Sequence, residues 1–188
     1  MDAHELIKAL RVAERLKDAT RHCYTSGGRQ ESVAEHSWRI SLMAYFIKDK
    51  FPEANINKVI QMCLIHDLGE AFTGDIPTFI KTQDDKNKEE SLLYSWVKTL
   101  PAPFDKEMFS LYQEMSEQKT LEAKLYKAMD SLEALIQHNE SNINTWSENE
   151  YGLNLVYADD RVNFSSFLKE LREHIREETI EKIETINN

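Results

Sequence analysis

The chain has 188 residues and a formal net charge of −10, from 23 Lys and Arg against 33 Asp and Glu. Its length suits one domain with its own core, and a 41% hydrophobic share beside 30% charged residues excludes a disordered chain. The acidic balance excludes a dedicated nucleic-acid binder, whose affinity is mostly electrostatic, but leaves open a small anion held by a local cation.

Five glycines and four prolines are too few for a sandwich or barrel with many tight turns, so long helices are expected. At the N-terminus, Leu6, Leu10, Ala13 and Leu16 recur at helical spacing and predict an amphipathic helix over about 2–19. This stretch alternates charged and apolar residues, unlike a secretory signal. No segment approaches the roughly 20 apolar residues that span a bilayer. Two cysteines, Cys23 and Cys63, cannot build a disulfide framework, and the expectation is a reduced, cytoplasmic protein.

Thr25-Ser26-Gly27-Gly28 reads as a loop. Ser32 and Glu35 form a capping box, so a second helix is expected from Val33 through Ile47, stopped by Pro52. A third runs from about Asn57 to Phe72 and ends at Gly74 and Pro77. The polar segment 81–88 reads as loop. Helices follow over Glu89–Leu100, Asp105–Ser116 and Leu121–Asn139. Residues 141–149 are undecided between loop and broken helix, with Trp146 as the large apolar anchor. A final helix is expected over about Asp159–Ile186. No repeat or linker interrupts the chain. One all-α, single-domain helical bundle over 1–188 is expected, with the core of the site in about 20–140 and C-terminal helices of open function in 141–188.

The informative string is CLIHDLGEAFTGDIPT, residues 63–78. On a continuous helix His66 and Asp67 point about 100° apart, and Glu70 lies on their side. Asp75 follows Gly74, where the chain can fold back. Acids on an otherwise apolar face are costly unless paired or metal-bound. The plain alternative is a helix end with a polar rim. His36 on the preceding helix and Asp130 on an apolar one favour the metal: His36, His66, Asp67 and Asp130 together offer two imidazoles and two carboxylates. That set suits one divalent ion such as Mn, Co, Fe, Ni or Zn.

The strings ESVAEHSWRISLMA (31–44), LIHDLGEAFTGDIPT (64–78) and LYKAMDSLEAL (125–135) resemble the HD-domain metal-dependent phosphohydrolases, most closely their small 5'-deoxynucleotidase-like branch. The resemblance covers roughly residues 1–140. It implies a helical HD-domain bundle with His36, His66, Asp67 and Asp130 as metal ligands and Glu70 and Asp75 as catalytic acids. It also implies an N-terminal arginine on the phosphate, matched best by Arg21 and next by Arg29. That branch can carry a tryptophan beside this arginine, against the sugar; here the neighbours are His22, Cys23 and Tyr24.

The implied activity is a phosphomonoesterase acting on (deoxy)nucleoside 5'-monophosphates. Its partner is a small-molecule nucleotide, with no nucleic acid and no membrane. Two rivals stand beside it: a cyclic-nucleotide or guanosine tetraphosphate phosphodiesterase of the same superfamily, and a non-catalytic metal- or nucleotide-binding module. Helices after residue 140 offer a surface for a homodimer. His138 lies two turns beyond Asp130, too far to join the same ion. His4, His22 and His174 read as exposed, Cys63 as core, Lys81 as a surface residue near a phosphate, and Trp38 and Tyr45 as packed.

Overall fold

A computed structural model describes residues 1–185. The expected helical character holds, and most element boundaries shift. α1 (Ala3–Glu14) starts at a capping box between Asp2 and Glu5 and ends in a 3-10 turn, Arg15–Lys17. The expected loop at 25–28 is the turn of a hairpin that the composition does not announce: β1 (Thr20–Tyr24) pairs antiparallel with β2 (Gln30–Ser32), Thr20 opposite Ser32 and Tyr24 opposite Gln30. In β1 the alternation turns Arg21 and Cys23 inward, a period hidden by the polar composition of both faces.

α2 (Val33–Phe46) begins at the expected Ser32–Glu35 capping box. α3 (Ile56–Ile65) stops seven residues before the expected end, and the short α4 (Glu70–Thr73) follows a turn. Its cap, Gly74, has φ of 75° and ψ of 167°, a region closed to residues with a Cβ. α5 (Gln83–Val97) starts within the segment expected to be loop, because Thr82 and Asp85 form another capping box. α6 (Phe104–Glu117) and α7 (Leu121–Glu140) fall close to expectation. The undecided stretch resolves into a 3-10 turn, Ile143–Thr145, and α8 (Glu148–Val156). Trp146 is buried between them, as expected, and its Nε1 donates to His138 O at 3.1 Å. α9 is Ser166–Glu184, so the expected helical start at Asp159 is instead a run of turns; its expected end at Ile186 lies outside the described residues.

α7 is the axis of the molecule and packs against α2, α3, α6, α9 and β1. Leu125, Ala128, Met129, Leu132 and Leu135 form its apolar stripe, each at most 1% exposed. Its other side is buried too, yet carries Tyr126, Asp130, Glu133, Gln137 and His138. These recur at the same helical spacing, so a polar stripe faces inward beside the apolar one.

Two packing expectations fail. Trp38 and Tyr45 are 62% and 49% exposed, and with Leu42 and Phe46 they form an outward apolar stripe on α2. His22 is half-buried rather than exposed, while Cys63 is fully in the core. Among the described residues, no helix is long and apolar enough to cross a membrane.

A Cβ at Gly74 meets nothing within 4 Å, so a substitution there isolates backbone strain. Gly74→Ala is expected to cost about 1–3 kcal/mol in thermal or urea unfolding. An unchanged midpoint would show that the turn tolerates a side chain.

Candidate metal centre

Three parts of the chain meet at the polar stripe of α7. His36 comes from the first turn of α2, His66 and Asp67 from the break between α3 and α4, and Asp130 from α7. The break corrects the expected continuous helix. Residues 66–69 form tight turns, with Leu68 N donating to Ile65 O at 3.1 Å and Glu70 N to Asp67 O at 3.0 Å. The Ile65 carbonyl is also capped by the Tyr112 hydroxyl at 2.6 Å. The tighter winding lets adjacent side chains converge: His66 Nε2 lies 2.9 Å from Asp67 Oδ2.

Both imidazoles are oriented through their far nitrogen. His66 Nδ1 donates to Cys63 O at 2.9 Å, and His36 Nδ1 to the buried Glu133 carboxylate. That leaves each Nε2 facing the centre. Asp130 Oδ1 lies 3.1 Å from His36 Nε2 and 3.7 Å from His66 Nε2. Donors around one divalent ion at ordinary N and O bond lengths sit roughly 3.0–3.5 Å apart, and these separations bracket that range. His66 Nε2 is buried without a hydrogen-bond partner. Two imidazole nitrogens and two carboxylates therefore face one another at short range, an arrangement that a shared cation would satisfy. The donor set fits a borderline divalent ion.

The HD domain family model matches residues 13–172. The human protein named 5'-deoxynucleotidase HDDC2 is 32% identical over 142 residues, covering 73% of this chain and 69% of that one. The Dictyostelium discoideum protein of the same name is 31% identical over 144 residues, 71% of this chain and 76% of its own. A solved structure described as a predicted metal-dependent phosphohydrolase from Magnetospirillum magnetotacticum superposes with a TM-score of 0.78 at 25% identity, over 96% of this chain and 95% of that one. The chain belongs to the HD-domain family.

The electrostatics of this HD-domain site follow from burial. For His66, burial opposes the charge, but Asp67 and Asp130 outweigh it and raise the imidazole to about 10. Burial would raise Asp67, yet His66 holds it down at about 2. Glu70 is 5% exposed; burial first, then Asp67 and Asp75, push it up to about 10 against the pull of Lys81. Its Oε2 has no hydrogen-bond partner, and Lys81 Nζ lies 3.7 Å from Oε1. Lys81 is thus held at the rim by Glu89, at 2.7 Å, rather than free on the surface. Asp75 is raised by burial and feels the charges of Arg21, Asp67 and His22.

The two arginines part company. Arg21 is buried, with Nη1 on Glu31 at 2.9 Å and Glu133 at 3.3 Å. It lines a cavity of about 210 Å³ with Lys127, Asp130 and Arg161. Arg29 is exposed and bonded through both terminal nitrogens to Glu35, so it lies at the surface, its charge already neutralised. The expectation for Arg29 is withdrawn on that ground.

Several working residues escape a reading of the motifs. Glu133 accepts from His36 and Arg21 at once. Glu31 anchors Arg21. Lys127 Nζ bonds Asp130 Oδ2 at 2.7 Å, the oxygen turned away from the imidazoles. A signal existed for Glu133: it is three residues after Asp130 on the same face of a helix otherwise rich in Leu and Met. The cavity also reaches His22, His138 and Glu150. Burial holds His138 down at about 4, so it is a neutral imidazole.

Removing the outer partner of a ligating histidine typically weakens metal binding about 10–100-fold. Glu133→Gln is expected to do so at His36, read as earlier loss of metal to a chelator. Retention equal to wild type would mean that Glu133 serves only Arg21.

Proposed function

We propose that this HD-domain chain is a metal-dependent phosphomonoesterase that hydrolyses (deoxy)nucleoside 5'-monophosphates to nucleoside and inorganic phosphate. One divalent ion of the Mn, Co, Fe, Ni or Zn group would be held by His36, His66, Asp67 and Asp130. The observation that carries this reading is the convergence of those donors, one an unpartnered buried nitrogen, with Asp130 among them lining a cavity shared with Arg21, Lys127 and Arg161. The names of the curated relatives support the substrate class.

The ion, when bound, supplies charge against phosphate oxygens and makes a water more acidic. The chain's own residues do the rest. Arg21 meets the phosphate with charge-assisted hydrogen bonds, its guanidinium fixed by Glu31 and Glu133. Lys127 adds a second cation on the same wall. Glu70, buried and with one oxygen free of partners, would take the proton of the attacking water once a cation held at Asp67 offsets the negative charge that raises its carboxyl. Asp75, raised by burial, can carry a proton to the departing 5'-oxygen. Water adds its oxygen to phosphorus, the P–O5' bond breaks, and the alcohol leaves with that proton.

A homodimer through the helices after residue 140 belongs to the same proposal, and the exposed stripe Trp38, Leu42, Tyr45 and Phe46 offers a second apolar surface for it. A monomer mass in light scattering at micromolar concentration would remove it.

Two variants test the chemistry. Asp67→Ala is expected to lose metal and turnover together. Glu70→Gln should keep its metal while kcat falls about 10²–10⁴-fold, the usual contribution of a positioned proton acceptor. Near-normal kcat in Glu70→Gln would take the base role from this residue. Phosphate release from a panel of 5'-monophosphates, with none from cyclic nucleotides or guanosine tetraphosphate, separates this reading from its phosphodiesterase rival. No metal-dependent release from any of them would leave a binding module.

A further inference from the structure

Away from that centre, where His22, His138 and Glu150 line the same cavity, four more donors converge. We infer that His22, Cys23, His138 and Glu150 form a second metal site, selective for one tetrahedral divalent ion of the zinc or cobalt(II) kind. His138 lies eight residues beyond Asp130 on α7, about 12 Å along the axis, so the two sites cannot share an ion.

The geometry is that of a coordination shell. His22 Nε2 is 3.3 Å from His138 Nε2 and 3.0 Å from Glu150 Oε1. His138 Nε2 is 3.4 Å from the same carboxylate oxygen and 3.3 Å from Cys23 Sγ. Cys23 Sγ is 3.8 Å from His22 Nε2. Tetrahedral zinc at its usual Zn–N, Zn–O and Zn–S lengths spaces its donors about 3.3–3.6 Å apart, and the five separations scatter around that value. Thiolate with imidazole is a soft-to-borderline set, unlike the oxygen cages that select Mg or Ca.

A second observation points to a ligand. Glu150 Oε1 is buried and makes no hydrogen bond, although two ring nitrogens stand within 3.4 Å of it. Its other oxygen is fixed by Ser147, whose backbone N–H donates at 2.6 Å and whose hydroxyl donates at 2.7 Å. The capping box that starts α8 thus aims the free oxygen at the cluster, as an outer partner aims a ligand. Cys23 and His138 are 2% and 6% exposed, so the pair is held by packing. Binding would exchange the Cys23 S–H proton for an S–metal bond and release that proton to solvent. The ion would tie β1, the end of α7 and α8 together.

The test is cobalt(II) titration of the metal-stripped, full-length protein. Two equivalents are expected to bind, one of them giving near-ultraviolet thiolate-to-cobalt charge transfer and intense tetrahedral d–d bands. Asp67→Ala should keep the thiolate band while losing one equivalent, so failure of the first site is read separately. Cys23→Ser should lose the band; its persistence would assign it to Cys63 and overturn the proposal. Wild-type protein that shows no thiolate band at saturating cobalt also overturns it, leaving a hydrogen-bonded His–Glu cluster. That wild-type reading does not depend on any variant folding.

Discussion

The structure depends on keeping charge inside the bundle. Glu133 is fully buried on α7, and an isolated carboxylate there would cost several kcal/mol. It is tolerable only because Arg21, Arg39 and the His36 ring all approach it. Each of those partners is placed by a different element: Arg21 by β1, His36 and Arg39 by α2. The requirement runs both ways. Arg21 is kept in place by Glu31 and Glu133, and His36 is oriented by Glu133, so the buried cation of β1 and an imidazole of the donor cluster share one anchor. A network of this kind fixes the register of the hairpin on α2 and α7 more sharply than apolar packing could, because an apolar contact tolerates sliding and an ion pair does not.

The donor residues were legible because their chemistry conflicts with their surroundings. Acids and imidazoles in otherwise apolar helical segments are conspicuous, and His36, His66, Asp67 and Asp130 were found that way. Their geometry was less legible. The expected helix through Phe72 is continuous in hydrophobic period, whereas the chain breaks at 66–69 into tight turns, with the Ile65 carbonyl capped by the distant Tyr112 hydroxyl. The break makes neighbouring residues convergent, so the departure from a continuous helix falls at the turn that carries His66 and Asp67.

Other misses have separate physical causes. The hairpin was hidden because β1 is polar on both faces and too short to show an alternation. The start of α5 was hidden because its first two turns are exposed and charged, and only the Thr82–Asp85 cap marks it. Arg29 resembled a phosphate ligand by distance along the chain, but Glu35, already committed to the helix cap, lies closer in space. Trp38 and Tyr45 looked like core by type, yet hydrophobic character alone does not decide which side of a helix faces inward.

Residues beyond 140, whose role the sequence leaves open, help to enclose the cavity. Glu150, Leu153, Asn154, Tyr157 and Arg161 form a wall of the cavity that Asp130 opens into. That wall is held from behind: Arg172 of α9 is 2% exposed and donates to the carbonyls of Tyr157 at 2.8 Å and Asn154 at 3.0 Å. Arg176 adds a bond to Leu155 O at 2.9 Å and pairs with Asp159. These bonds satisfy the last carbonyls of α8, which its own helix leaves without partners. The division of labour is therefore between α2, α3 and α7, which gather the donors, and α8 with α9, which shape the space in front of them.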